Sequence, residues 1–231
     1  MTFPYKHILL IGATSGIGKA MADRFISENI QVTAVGRRQE RLDEFSHPTI
    51  DCVFLNAGTQ SIFDFSKPET VDLSNFNREM NVNFTSFVAL THAMLPHLLA
   101  QNNSAFIYTG TQISLVPAFL VPAYSASKAA LDAFIMSLRE QLRYSKVQVF
   151  HISPGPVQTE IHDTEMGEER GRKFGMSLED CTNVAYSGLV EGENDIFPGN
   201  IGGSTKEQYG EIIGRRNEAF ERLTKLVRGL Y

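Results

Sequence analysis

The chain has 231 residues, 42% of them hydrophobic and 20% charged, with a net charge of -5. That length suits one substantial core. The acidic balance excludes the general basic field by which a DNA- or RNA-binding protein, or a protein drawn to an anionic membrane, would act.

No apolar stretch approaches the length of a membrane span, and Met1 to Tyr5 leads almost directly into a strand, leaving no room for a signal peptide. Cys52 and Cys181 are widely separated and read as reduced intracellular thiols. His7, His47, His92, His97, His151 and His162 lack metal-ligand spacing and read as surface or packing residues, so no metal is expected. A cytoplasmic enzyme or binding protein fits these bounds.

His7 to Ile11 reads as a short buried strand, ended by Gly12-Ala13-Thr14-Ser15-Gly16-Ile17-Gly18. Lys19 to Glu28 carries apolar residues at Ala20, Met21, Phe25 and Ile26, a helical pattern, and Gln31 to Val35 reads as a second strand closed by Gly36-Arg37-Arg38. Strand, glycine loop, helix and strand together open a doubly wound α/β fold with a parallel sheet. The Gly-x-x-x-Gly-x-Gly spacing differs from the commonest dinucleotide fingerprint, and a tight structural turn is the bland alternative. Its place between a strand and a helix favours dinucleotide binding: glycines allow close backbone approach, and free N–H groups at the helix start receive phosphate.

The end of the second strand selects between the two nicotinamide cofactors, a carboxylate holding the NAD ribose and an arginine accommodating the extra phosphate of NADP. Arg37 and Arg38 stand there with no carboxylate before Glu40, and Ser15 offers a hydroxyl to the same phosphate. NADP (NADPH) is therefore expected, rather than a merely solvated arginine pair.

A short helix is predicted over Gln39 to Phe45, then a strand over Ile50 to Leu55 ending in Asn56-Ala57-Gly58, where it would lie beside the cofactor. Asp72 to Leu99 is predicted helical, with an apolar face of Met80, Phe84, Phe87, Val88, Thr91 and Leu95 interrupted by Asn81 and Asn83. Amides in such places usually cap or bond locally. Ala105 to Thr109 is the next strand, and Gly110-Thr111 begins its loop. Phe119, Leu120 and Val121 then offer either substrate contact or ordinary loop packing.

Tyr124-Ser125-Ala126-Ser127-Lys128 heads a helix running to Leu142. The four-residue step puts Tyr124 and Lys128 on one face, one turn apart, where an ammonium stabilises a phenolate and brings proton transfer within reach near neutral pH. An ordinary surface pair is the alternative. Val147 to Ile152 is a strand, followed by Pro154-Gly155-Pro156-Val157-Gln158-Thr159. The polar stretch Glu160 to Ser177 reads as a mobile flap carrying a helix and closing over a substrate. Leu178 to Glu191 is helical, Asp195 to Phe197 a last strand, and Lys206 to Arg228 an amphipathic terminal helix with Ile212, Ile213, Phe220, Leu223, Leu226 and Val227. With no repeat or linker, residues 1–231 read as a single domain.

Gly12 to Gly18, Asn56-Ala57-Gly58, Val82-Asn83-Phe84, Tyr124 to Lys128 and Pro154 to Thr159 occur in an order that resembles the short-chain dehydrogenase/reductase family across almost the whole chain. The resemblance implies a Rossmann-like three-layer α/β/α sandwich and an NADP(H)-dependent oxidoreductase interconverting a carbonyl and a secondary alcohol by hydride transfer. It makes Tyr124 the general acid/base, and Lys128 the group that lowers the pKa of Tyr124 and binds the nicotinamide ribose. Asn83 would bend its helix and hold a water linking Lys128 to solvent. Gly12, Gly16, Ile17 and Gly18 would line the pyrophosphate, with Thr14 and Ser15 in the same loop and Asn56, Ala57 and Gly58 beside it. Pro154, Gly155, Val157 and Thr159 would shape the nicotinamide pocket.

Two departures from the family pattern stand out. Thr111 occupies the place of the serine that bonds the substrate oxygen; its hydroxyl keeps that hydrogen bond possible, while its methyl stiffens the rotamer. Ser114 has the wrong offset. Between Arg38 and Asp51 the family places a helix, a strand and another helix, for which residues 39–50 are too short. A genuine deletion with an altered sheet edge is one explanation. The expectation is the other, that residues are absent at the junction Glu44-Phe45-Ser46-His47-Pro48.

Thr111 and the short segment also motivate an alternative, a cofactor-sensing or scaffold protein that keeps the fold with little turnover. The intact Asn83, Tyr124 and Lys128 argue for the enzyme. The expected partner is a small-molecule carbonyl or alcohol. The resemblance implies a homodimer or homotetramer packed on the tyrosine helix and the preceding long helix, with which the apolar Phe134, Ile135 and Leu138 are consistent.

Overall fold

Strands β1 (His7–Ile11), β2 (Gln31–Val35), β3 (Cys52–Leu55), β4 (Ser104–Thr109), β5 (Val147–Ile152) and β6 (Asp195–Ile196) pair in parallel, in the order β2-β1-β3-β4-β5-β6. This computed structural model describes residues 2–36, 49–200 and 204–230. Residues 1–199 form one compact unit and 200–231 a second.

In the first unit, β3 and β4 are buried along their whole length, as a parallel sheet covered on both faces requires. The two-residue alternation of strand side chains divides the core into two layers. Ile8, Leu10, Phe54, Ile107 and Phe150 face helices α1 (Gly16–Ser27) and, further along the chain, Leu178–Glu191, packing on Met21, Phe25, Ala185 and Leu189. Leu9, Val53, Leu55, Phe106 and Val149 face the opposite layer, where Phe87, Met94, Leu98, Leu131, Ile135 and Leu138 cover them. Ile135 and Leu138 are thus core residues, and they carry no argument for a subunit interface.

The segment expected to be helical over 72–99 is helical from Leu73 to Leu99, with a change of helix type inside it. Asp72 caps α2 (Leu73–Met80), its carboxylate accepting from the Ser74 and Asn75 N–H groups; a π-helical turn, Asn81–Thr85, follows, and α3 (Ser86–Leu99) completes the run. π turns put one extra residue into a helical turn and recur at functional sites. Here the turn carries Asn83 inward.

The predicted helix at 39–45, with Arg37 and Arg38, lies outside the described residues. The sequence is continuous through this stretch, and β2 pairs with β1 on one side and with no described neighbour on the other. The expectation of residues absent at this junction is therefore not met.

Helix α4 (Pro122–Gln141) starts with proline at its first position, where the missing N–H is no loss. The segment after β5 carries two one-turn helices, α5 (Asp163–Met166) and α6 (Glu168–Gly171), before α7 (Leu178–Glu191). Both ends of that excursion are pinned together: Gln158 N–H donates to the Met176 carbonyl and Met176 N–H to the Pro156 carbonyl, each at 2.9 Å. Inside it, Arg172 forks onto Asp163 at 2.8–3.0 Å, and that hydrogen-bonded guanidinium holds the Asp163 carboxyl below the usual range.

The second unit is one helix, α8 (Lys206–Arg228), opened by a capping box in which Thr205 and Gln208 satisfy each other's backbone N–H groups. Among the described residues, no helix is long and apolar enough to cross a membrane.

Candidate active site

Strand order reverses between β1 and β3, and in a doubly wound sheet that is where the strand ends open a crevice for a ligand. Register pairs Ile11 with both Val35 and Leu55, so Gly12, Gly36 and Asn56 emerge side by side. Gly12 has φ +87°, and a Cβ on it would stand 2.6 Å from the Ala57 nitrogen. A Cβ on Gly18 would overlap the Gly12 carbonyl oxygen and Asn56 Nδ2. Asn56 ties the loop down, Nδ2 donating to the Gly12 carbonyl at 3.0 Å while Oδ1 accepts from Thr109 Oγ1 at 2.8 Å.

Ser15 occupies the N-cap of α1 without making a capping hydrogen bond, which leaves its hydroxyl beside the unbonded N–H groups of the first turn. Thr14 is exposed and packs on Gly36, one residue before Arg37; Gly16 abuts Thr159. Ile17 packs against the core beneath the loop. The cradle has the close backbone approach and the free donors that a pyrophosphate requires. Gly18→Ala is expected to lower stability by about 1–3 kcal/mol, the usual range for overpacking. It should also weaken dinucleotide binding; thermal melts and a fluorescence titration check both.

Tyr124 is half-buried on the first turn of α4. Lys128, one turn on and 2% exposed, places Nζ 5.7 Å from the centre of the Tyr124 ring and donates to the Thr109 carbonyl at 2.8 Å. Burial pulls its ammonium down from 10.5 to about 7.

Asn83 is fully buried beneath the pair. Its Oδ1 accepts from the Thr59 N–H at 2.9 Å, and its Nδ2 donates to the Thr59 carbonyl at 2.9 Å and to Ser127 Oγ at 3.1 Å. The side chain thus bonds Thr59 and Ser127 rather than Lys128, fastening the segment after Ala57-Gly58 to the tyrosine helix. Thr59, Ser127 and Thr109 were not singled out in the sequence. Ser127, lying between Tyr124 and Lys128, is the one that position alone could have flagged.

Thr111 is buried at the start of a short turn. Its Oγ1 donates to the Pro154 carbonyl at 3.3 Å and accepts from the Ile113 N–H at 3.5 Å, both long, so the hydroxyl is weakly held. Gln112 N–H donates to the same Pro154 carbonyl at 3.0 Å, and Gly155 N–H to the Pro198 carbonyl at 2.9 Å. Val157 and Thr159 are buried in the turn that follows β5. Ser114 N–H donates to the Thr111 carbonyl at 3.1 Å, while its Oγ is 3.5 Å from Asp132 Oδ2. Phe119 is 87% exposed and Leu120 is exposed beside it, whereas Val121 is buried packing. The Phe63 N–H donates to the Leu120 carbonyl at 3.1 Å, joining two loops beside the tyrosine.

A family model for short chain dehydrogenases matches residues 6–47 and 43–170. The uncharacterized oxidoreductase DltE of Bacillus subtilis (strain 168) is 26% identical over 242 aligned residues, covering 91% of this chain and 96% of that protein. Among solved structures, the closed form of serine dehydrogenase complexed with NADP+ superposes with a TM-score of 0.73 at 25% identity, covering 87% of this chain and 97% of that one. A short chain dehydrogenase/reductase from Burkholderia phymatum in complex with NAD shares the fold, with a TM-score of 0.72 at 18% identity over 86% of this chain and 90% of that one.

Proposed function

Because the chain belongs to the short-chain dehydrogenase family, a family of oxidoreductases, we propose that it interconverts a carbonyl and a secondary alcohol with NADP(H), Tyr124 acting as general acid/base. The observation that carries this reading is the buried Lys128 ammonium one helical turn from Tyr124, on the face where the glycine loop, Asn56 and Thr109 are joined by hydrogen bonds.

In the reducing direction, Tyr124 Oη gives its proton to the carbonyl oxygen and is left as a phenolate, which the Lys128 cation stabilises. Bound NADPH supplies the hydride to the carbonyl carbon. Thr111 Oγ1 exchanges its long bond to Pro154 for one to the substrate oxygen. Gly12, Thr14, Ser15, Gly16, Ile17 and Gly18 receive the pyrophosphate, Asn56, Ala57 and Gly58 flank it, and Pro154, Gly155, Val157 and Thr159 wall the nicotinamide side. In the oxidising direction each proton move runs backwards.

Arg37 and Arg38 are the support for NADP over NAD, together with the NADP+ complex of serine dehydrogenase. Arg37→Ala/Arg38→Ala is expected to raise the NADPH Kd at least about tenfold, the loss of one charge-assisted contact, while leaving the NADH Kd unchanged. Equal losses for both cofactors would withdraw the NADP preference. The reading also places the protein in the cytoplasm as a homodimer or homotetramer.

Thr111 in the place of the family's serine, with the short stretch after Arg38, favours one other reading, a cofactor sensor or scaffold with little turnover. NADPH oxidation over a panel of ketones, aldehydes and quinones separates the two. NADPH binding without turnover, equal in wild type and Tyr124→Phe, selects the sensor.

A further inference from the structure

His151 on β5 is 3% exposed and lies on the face of the sheet that α4 covers. Its Nε2 is 3.0 Å from Ser153 Oγ. Its Nδ1 is 3.6 Å from Asp132 Oδ1 on α4 and 3.6 Å from Asp195 Oδ1 on β6. Arg139, also on α4, donates from Nη1 to both oxygens of Asp195 at 2.9 Å and from Nε to the Val149 carbonyl. Burial by itself would raise the Asp195 carboxyl, yet the bonds from His151 and Arg139 leave it below its ordinary range.

Three neighbours of this ring lead to the proposed site. Asp132 follows Lys128 by one turn and Tyr124 by two, on the same face of α4. Ser153 precedes Pro154, whose carbonyl holds Thr111 Oγ1. Gly110 precedes Thr111 and lies so near the ring that a Cβ on it would overlap His151 Nε2. An imidazole fixed by three polar partners therefore stands where the strand bearing Thr111 turns away from the sheet.

We propose that His151 is a positioning residue: held by Ser153, Asp132 and Asp195, its ring sets the Gly110-Thr111 turn and so the place of the Thr111 hydroxyl relative to Tyr124. This rests on the reading of Thr111 and Tyr124 given above. The proposal is tested by crystal structures with NADPH, and by kinetics on a carbonyl substrate, for wild type, His151→Ala, His151→Gln, Gly110→Ala and Gly110→Ala/His151→Ala.

His151→Ala is expected to displace Thr111 Oγ1 from the Pro154 carbonyl and to lower kcat about tenfold, as a sub-ångström to ångström misplacement does, with a smaller change in KM and an NADPH Kd within about twofold. Gly110→Ala should lose activity through the clash, and the double variant should regain part of it, because the added methyl enters the space the ring has left. His151→Gln keeps a polar end for Ser153 without a ring over Gly110. It should fold and show the same displacement, and it decides the matter where His151→Ala does not fold.

A Thr111 side chain that stays in place in the variants, with kcat unchanged and only the melting temperature lowered, overturns the proposal. Failure of every protein to turn over any carbonyl, wild type included, sinks the oxidoreductase reading instead. The position of Thr111 in the crystals still decides the role of His151.

Discussion

Tyr124→Phe is expected to lower kcat about a thousandfold, within the range that general acid–base catalysis supplies. The substitution removes one oxygen and leaves the ring, the helix turn and the Asn83–Ser127 bond beneath it. NADPH binding should therefore change by less than about threefold, and the melting temperature by less than about 2 °C for so small a change away from the core. The split is what identifies the chemistry. A residue that merely packs against substrate raises KM, whereas a proton donor that acts in the transition state lowers kcat and kcat/KM together. Steady-state NADPH oxidation, read alongside a binding titration on the same preparations, makes the distinction. An unchanged kcat in the variant would take Tyr124 out of the reaction.

Lys128→Met should do something less intuitive: abolish most turnover while making the cofactor-free protein more stable. Burial has lowered the Lys128 ammonium from 10.5 to about 7, and each unit is worth about 1.4 kcal/mol, so holding this lysine opposes folding by on the order of 4–5 kcal/mol at neutral pH. Losing the bond to the Thr109 carbonyl leaves a buried acceptor unpaired, which costs about 1–3 kcal/mol. The first effect exceeds the second, and a net gain of about 1–4 kcal/mol is expected.

The pH dependence carries a sign. Above the unfolded value both states hold a neutral lysine and the penalty vanishes. As pH falls from about 10.5 towards about 7, the unfolded chain takes up the proton while the folded one does not, and the wild type loses stability relative to the variant. Below about 7 the difference is constant. Denaturant melts across that window check the course. A methionine variant less stable than wild type at pH 7 would mean that the hydrogen bond outweighs the burial.

The parts of the site that were legible in the sequence are those formed by neighbours along the chain. A strand, a glycine-rich turn and a helix N-terminus are contiguous, so Gly12 to Gly18 announced the cradle, and the one-turn step from Tyr124 to Lys128 needed only helix geometry. What stayed hidden are contacts closed by the fold. The resemblance put Asn83 at the site, but its partners, the backbone of Thr59 and a hydroxyl on α4, are not readable from spacing. His151, Asp132 and Asp195 come from three elements, and no spacing rule joins them. The helix expected over 72–99 is helical from Leu73 to Leu99, but its π turn was not legible in the pattern. The apolar stripe on either side of Asn81–Thr85 remains helical, and a single extra residue in one turn changes the phase of the pattern without erasing it.

The clasp between Pro156–Gln158 and Met176 bears on how this segment can change over evolutionary time. Because the two ends of the 160–175 excursion are bonded to each other, its interior answers to its own ion pairs rather than to the sheet. Closing such a loop becomes only slightly harder as it lengthens, by about 0.6 kcal/mol for each doubling. Insertions and wholesale replacement between the clasp points are therefore nearly neutral for the scaffold. Selection can exchange this segment as a cassette while Tyr124, Lys128 and the glycine loop stay untouched.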